Sequence, residues 1–137
     1  MALFFQYDPS RVTVTWRFIA FQGFGPDTFV KCTWNADLFT EIVGVAGWVV
    51  RLPNNDTTGR VSITLLSRSP SNDAMTAAAA TGDVGHLVVK DLNGATLIDG
   101  TDAQILKLPD HEYAADSNTT EWVLACSELQ LLLRPSP

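Results

Sequence analysis

Two histidines and two cysteines among 137 residues leave little material for most catalytic and metal chemistry. The cysteines, Cys32 and Cys126, lie far apart, with no CxxC or Cys/His spacing of the kind that builds a zinc site. Each sits in an apolar, strand-like run, so reduced core thiols are the expectation, with a disulfide as the alternative. His86 and His111 lack the partners that would make either a general base, since no Gly-x-Ser-x-Gly elbow occurs and neither cysteine stands at a strand-to-helix turn. The run Asp110-His111-Glu112 holds metal-ligand residue types, but adjacent strand residues point to opposite faces and converge poorly on one ion. Phosphate-cradling loops are missing too: Gly23, Gly25, Gly44 and Gly47 fit neither GxxxxGK[ST] nor GxGxxG. No catalytic, cofactor or metal site is expected, and the chain does not read as an enzyme.

Other absences narrow the partners. Nine basic against fifteen acidic residues give a formal charge of −6, and no cluster of Lys and Arg forms the basic groove that neutralises phosphates. Tight nucleic-acid binding is therefore excluded. No apolar run approaches the roughly 18 residues that span a membrane, and the apolar start "MALFF" lacks the basic residues and cleavage site of a secretory signal. A soluble product made in the cytoplasm is expected, and the glycosylation-like triplets at Asn55 and Asn118 are set aside. There is no internal repeat at a fixed period and no low-complexity tract.

What is present suits one mainly β domain over residues 1–137, with 46% hydrophobic and 18% charged residues. In "RVTVTW", Val12, Val14 and Trp16 alternate with polar residues and predict a half-buried strand. A turn at Gly23 to Asp27 then leads to a second strand, Thr28 to Trp34, and the two look like a hairpin. "TGRVSITLL" places Val61, Ile63 and Leu65 on one face. Asn93-Gly94 predicts a hairpin pairing Leu87–Lys90 with Ala95–Ile98, and Gln104 to Leu108 continues the sheet. "TEWVLACSELQLLLR" supplies one or two strands more. Seven or eight strands with one helix fit two packed antiparallel sheets or a small barrel.

One helix interrupts them, over residues 70–81 in "SPSNDAMTAAAATG". Ser69 is placed to cap it, Pro70 suits its first turn, Asp73 favours its N-terminal dipole, and Gly82 ends it. Its methyl-rich face suits a plug against its own sheet or a neighbour's, and it offers no nucleophile.

Residues 35–56 follow neither period. This arm, "NADLFTEIVGVAGWVVRLPNND", carries Leu38, Phe39, Ile42, Val43, Val45, Trp48, Val49 and Val50, with one short strand expected near Trp48 to Leu52. So many large apolar residues do not suit a free loop. Either the arm folds onto the domain's own core, or it buries against another copy or another subunit.

Taken in order, "YDPSRVTVTW", "GPDTFVKCTWNADLFTEIVG", "SPSND", "VVKDLNGATLI" and "EWVLACSEL" span nearly the whole chain and resemble the tail tube proteins of contractile-tailed bacteriophages. The resemblance implies two antiparallel sheets packed as a sandwich or half-barrel with one flanking helix, and a virion subunit that assembles into stacked hexameric rings. The rings would form a conduit that DNA crosses without tight binding. It also implies tail sheath and baseplate partners. The arm would reach the adjacent ring, with Leu38, Phe39, Ile42, Val43 and Trp48 as its contact residues. Six copies at −6 each would give a ring about −36 in formal charge, so acidic residues in the lumen would repel phosphates. Which of the fifteen acidic residues face inward stays open. Other tail roles, as a terminator or baseplate hub component, are kept as alternatives, as is a small ligand-binding β-barrel.

Overall fold

In the computed structural model of the chain, residues 9–17, 19–25, 29–93, 96–109 and 119–133 are described. They form a mainly β structure of two antiparallel sheets and one helix. The strands are β1 (Val12–Trp16), β2 (Ile19–Ala20), β3 (Val30–Trp34), β4 (Phe39–Val43), β5 (Val49–Pro53) and β6 (Gly59–Leu66). After helix α1 (Ser71–Thr81) come β7 (Val84–Asp91), β8 (Thr96–Lys107), β9 (Thr119–Cys126) and β10 (Glu128–Leu133). Eight strands make the main sheet, in the order β2-β1-β7-β8-β9-β6-β3, with β10 paired to β8; β4 and β5 make the second.

The twelve residues of β8 form the spine. Its first half pairs with β10 (Leu131↔Ile98) and its second half with β9 (Ala125↔Gln104), so the two C-terminal strands share one edge of β8 and meet at Ser127. Alternation decides what turns inward. In β6, Val61, Ile63 and Leu65 are fully buried while Arg60 and Leu66 are exposed. Val14 and Trp16 of β1, from the far side of the sheet, belong to the same core cluster as Ile63 and Trp122, so the sheet must curl around one interior. The chain after β2 strengthens the curl: Phe21 N–H donates to the Val14 carbonyl, and Leu66 N–H donates to the Gly23 carbonyl, 2.7 Å away.

Helix α1 closes the curled sheet. Ser71, Met75 and Ala78 are its buried residues, and it packs against β2 and β8. The plug therefore faces its own core. Gly82 ends the helix in the left-handed region at φ 67°, where its N–H reaches the Ala78 and Ala79 carbonyls. The start differs from expectation. Pro70 is the N-cap residue and gives no side-chain hydrogen bond, while the Ser69 hydroxyl donates to the Gln22 carbonyl and accepts from the Ser71 N–H. Asn72 does more to fasten this end: its amide donates to the Leu66 and Ser67 carbonyls and accepts the Trp122 indole N–H at 2.9 Å.

Two further expectations change. The hairpin of β1 with the Thr28–Trp34 strand does not form, because β1 pairs with β2 and β7 while β3 pairs with β6. A turn at Arg17, φ 55°, sends the chain back beside β1 at once, and β3 is left free to join the opposite edge. Among the described residues ten strands stand where seven or eight were expected: β2 and β4 are additions, and the strands expected at 95–98 and 104–108 run together as β8. The β7–β8 pairing is as expected, with Val89 opposite Ile98 and Lys90 opposite Leu97, although Gly94 and Ala95 lie outside the described residues.

Candidate assembly interface

Residues 35–56 form a hairpin that stands off the body. Phe39 pairs with Pro53, Ile42 with Val50 and Val43 with Val49, and the Gly44 N–H to Trp48 carbonyl bond (2.8 Å) closes the tip. Every residue of both strands is exposed. Leu38 is 86% and Trp48 79% exposed, so the arm does not fold onto its own core.

Strand alternation and register divide the arm into two faces. Phe39, Glu41 and Val43 share one with Val49, Arg51 and Pro53. Here Arg51 lies 3.8 Å from the Glu41 carboxylate and 5.4 Å from the centre of the Phe39 ring. The other face carries Leu38, Thr40 and Ile42 opposite Asn54, Leu52 and Val50, with Trp48 at its end, and bears no charge. The five expected contact residues are thus divided: Leu38, Ile42 and Trp48 lie on the uncharged face, Phe39 and Val43 on the other.

The root of the arm is braced where its middle is not. Trp34, the last residue of β3, donates its indole N–H to the Leu129 carbonyl at 2.7 Å, and Leu129 N–H donates to the Thr57 carbonyl at 2.9 Å. On the return, the Asn54 side chain accepts from the Asp56 N–H, and the Asp56 carboxylate accepts both the N–H (3.0 Å) and the hydroxyl (2.6 Å) of Thr58. Those two bonds hold the Asp56 carboxyl below its ordinary pKa. Gly59 completes the root. A Cβ there would come within 2.5 Å of Leu129 Cδ2 and 2.8 Å of the Thr33 carbonyl oxygen. Root and β10 enclose an open groove of about 920 Å³.

Trp34 and Leu129 were not among the expected site residues. Their signal was an indole at the end of a strand just before an arm, which sequence alone does not distinguish from a core tryptophan. Of the residues weighed for chemistry, Asp110, His111, Glu112 and Asn118 lie outside the described residues. His86 is half-exposed beside Asp99. Among the described residues, no three His, Cys, Asp or Glu side chains converge as metal ligands. Cys32 and Cys126 are free thiols. Burial pushes each up to about 11, with a lesser contribution from Cys126 on Cys32 and from Asp99 on Cys126.

No protein-family model matches the chain. It is 27% identical over 132 residues to structural protein ORF10 of Pseudomonas phage KPP10, covering 87% of this chain and 76% of that protein. Among solved structures it is similar to the tube-terminating cap of the anti-feeding prophage, with a TM-score of 0.69 and 11% identity over 98% of this chain and 95% of that one. It is equally similar, at TM-score 0.69 and 10% identity, to the sheath/tube terminator of the extracellular contractile injection system PVC, over 96% of this chain and 99% of that one. A chain from the native gene transfer agent virion matches with a TM-score of 0.68 and 12% identity, over 93% of this chain and 99% of that one. The chain has the fold of tail tube and tube-terminator proteins from contractile injection systems and phage-like particles.

Proposed function

We propose that the chain is a structural protein of a phage tail, carried in the virion, whose copies form stacked hexameric rings that make the tail tube. The observation that carries this reading is the arm: an ordered hairpin with apolar side chains exposed on both faces, on a body whose core is complete without it. Exposed apolar surface of this extent marks a site of association. Sheet edges support assembly as well, because the outer edges of β3 and β10 carry backbone groups that a neighbouring subunit can pair. A tail of the gene transfer agent with sixfold symmetry, which this chain resembles at TM-score 0.67, supports the ring number. The PVC sheath–tube complex and the anti-feeding prophage baseplate, also similar in fold, support sheath and baseplate partners. DNA would pass through without being gripped, as the charge of −6 favours. No catalytic step is assigned.

A second reading, a tube terminator, is favoured by one comparison: the PVC terminator matches better than the PVC sheath–tube complex, TM-score 0.69 against 0.61. Negative-stain electron microscopy of the purified protein over a wide concentration range separates the two. Rings that grow into tubes are expected. Rings that never stack would favour the terminator, and a strictly monomeric protein would overturn both.

A further inference from the structure

The groove at the root of the arm continues the arm's uncharged face. Leu38 belongs to both, and Trp34, Leu129 and Leu131 extend the apolar lining across the body to β10. Among the described residues, the only ionisable ones lining the groove are Asp37 and Asp56. Its occupant should therefore be apolar with a positive charge.

The C-terminal end of β8 has that character. β6 and β8 are both antiparallel to β9, so they run in the same direction. The arm leaves from the Gly59 end of β6, and β8 runs away from it, with Lys107 opposite Val123 and so level with Ser62 of β6. At the end of β8, Leu106 and Leu108 are 47% and 63% exposed, and Lys107 is an exposed cation. Among the described residues neither Lys107 nor Asp37 is in an ion pair. We propose that the groove with the arm's uncharged face receives, from a second copy, the Leu106-Lys107-Leu108 end of β8, with Lys107 placed against Asp37 and Asp56. Because donor and acceptor are different surfaces of the chain, the contact is head-to-tail and, where it does not close on itself, propagates into an open stack. This inference rests on the reading of the chain as a stacking subunit and adds the receiving surface.

Charge reversal tests it on the full-length protein by sedimentation velocity and electron microscopy. Lys107→Glu and Asp37→Lys, each melting like the wild type because both sites are exposed, should raise the concentration needed for stacking about tenfold or more. Mixing the two variants in equal amounts should restore stacking, since each then meets its complement. Variants that stack as the wild type does, or a mixture no better than either alone, would overturn the receiving surface while leaving the subunit reading intact. Wild-type rings that fail to stack would overturn it too and favour a terminator. A wild-type protein that stays monomeric would remove the reading beneath it.

Discussion

Replacing Trp48 and Phe39 with serine should separate assembly from folding, because the arm contributes so little to the monomer. Trp48 is 79% exposed and Phe39 45% exposed. Within the chain, Phe39 is held by the Arg51 guanidinium over its ring, worth about 0.5–1 kcal/mol at an exposed site. The double variant should therefore lose about 1 kcal/mol of stability and melt no more than about 5 °C lower. Truncating a fully buried tryptophan such as Trp122 would instead cost about 3–5 kcal/mol. Assembly should respond in the opposite proportion. An aromatic anchor at an interface is worth about 2–4 kcal/mol, so the concentration for stacking should rise about 30- to 1,000-fold, and Trp48, on the uncharged face, should carry the larger share. Circular dichroism melts and sedimentation velocity on the same samples read both quantities. A fall in Tm above about 10 °C would mean that the arm is core. Unchanged stacking would mean that the arm is not the contact.

Gly59→Ala should cost about 1–3 kcal/mol in chemical denaturation, since the added methyl meets Leu129 and the Thr33 carbonyl; wild-type stability would show that the root yields. Asn72→Leu should cost about 2–4 kcal/mol, because it strands the buried Trp122 indole and frees the start of α1 from the Leu66 and Ser67 carbonyls. The thiols give a pH signature with a definite sign. With folded values near 11 against an ordinary 9.0, both thiols stay protonated in the native state while the unfolded chain ionises. Their contribution is complete below about pH 9 and is lost as pH rises towards 11, so stability should fall across that window and Cys32→Ser/Cys126→Ser should flatten the slope. At pH 8, alkylation of the native thiols should be about 100-fold slower than in urea, and equal rates would refute their burial.

Where one face of an element meets a single core, the sequence was enough to read it. Val61, Ile63 and Leu65 alternate because β6 is buried on one side only, and α1 was bounded within a residue by Pro70 and Gly82. Pairing between distant strands was less legible. Nothing local in "RVTVTW" shows that Val14 will lie opposite Val89, and proximity in sequence suggested β3 instead. The arm was legible as an anomaly and illegible as a hairpin. Both of its faces are exposed, so selection for burial leaves no alternation in β4 or β5, and the period that reveals β6 is absent.

That same absence bears on how the arm works. An isolated two-stranded hairpin is marginally stable in water, and among the described residues this one is tied down at its root, by the Trp34 indole, Leu129 and the Asp56–Thr58 turn. Beyond the root its order rests on the ladder itself and on the Glu41–Arg51–Phe39 contact. Ordering a flexible arm on docking would reduce the affinity of each contact, so a braced root and a cross-strand ion pair favour association by limiting the conformations lost. The apolar face left free by this arrangement is exposed to water in the single chain. It becomes favourable only when a second surface removes it from water, which couples burial of the arm to growth of the assembly.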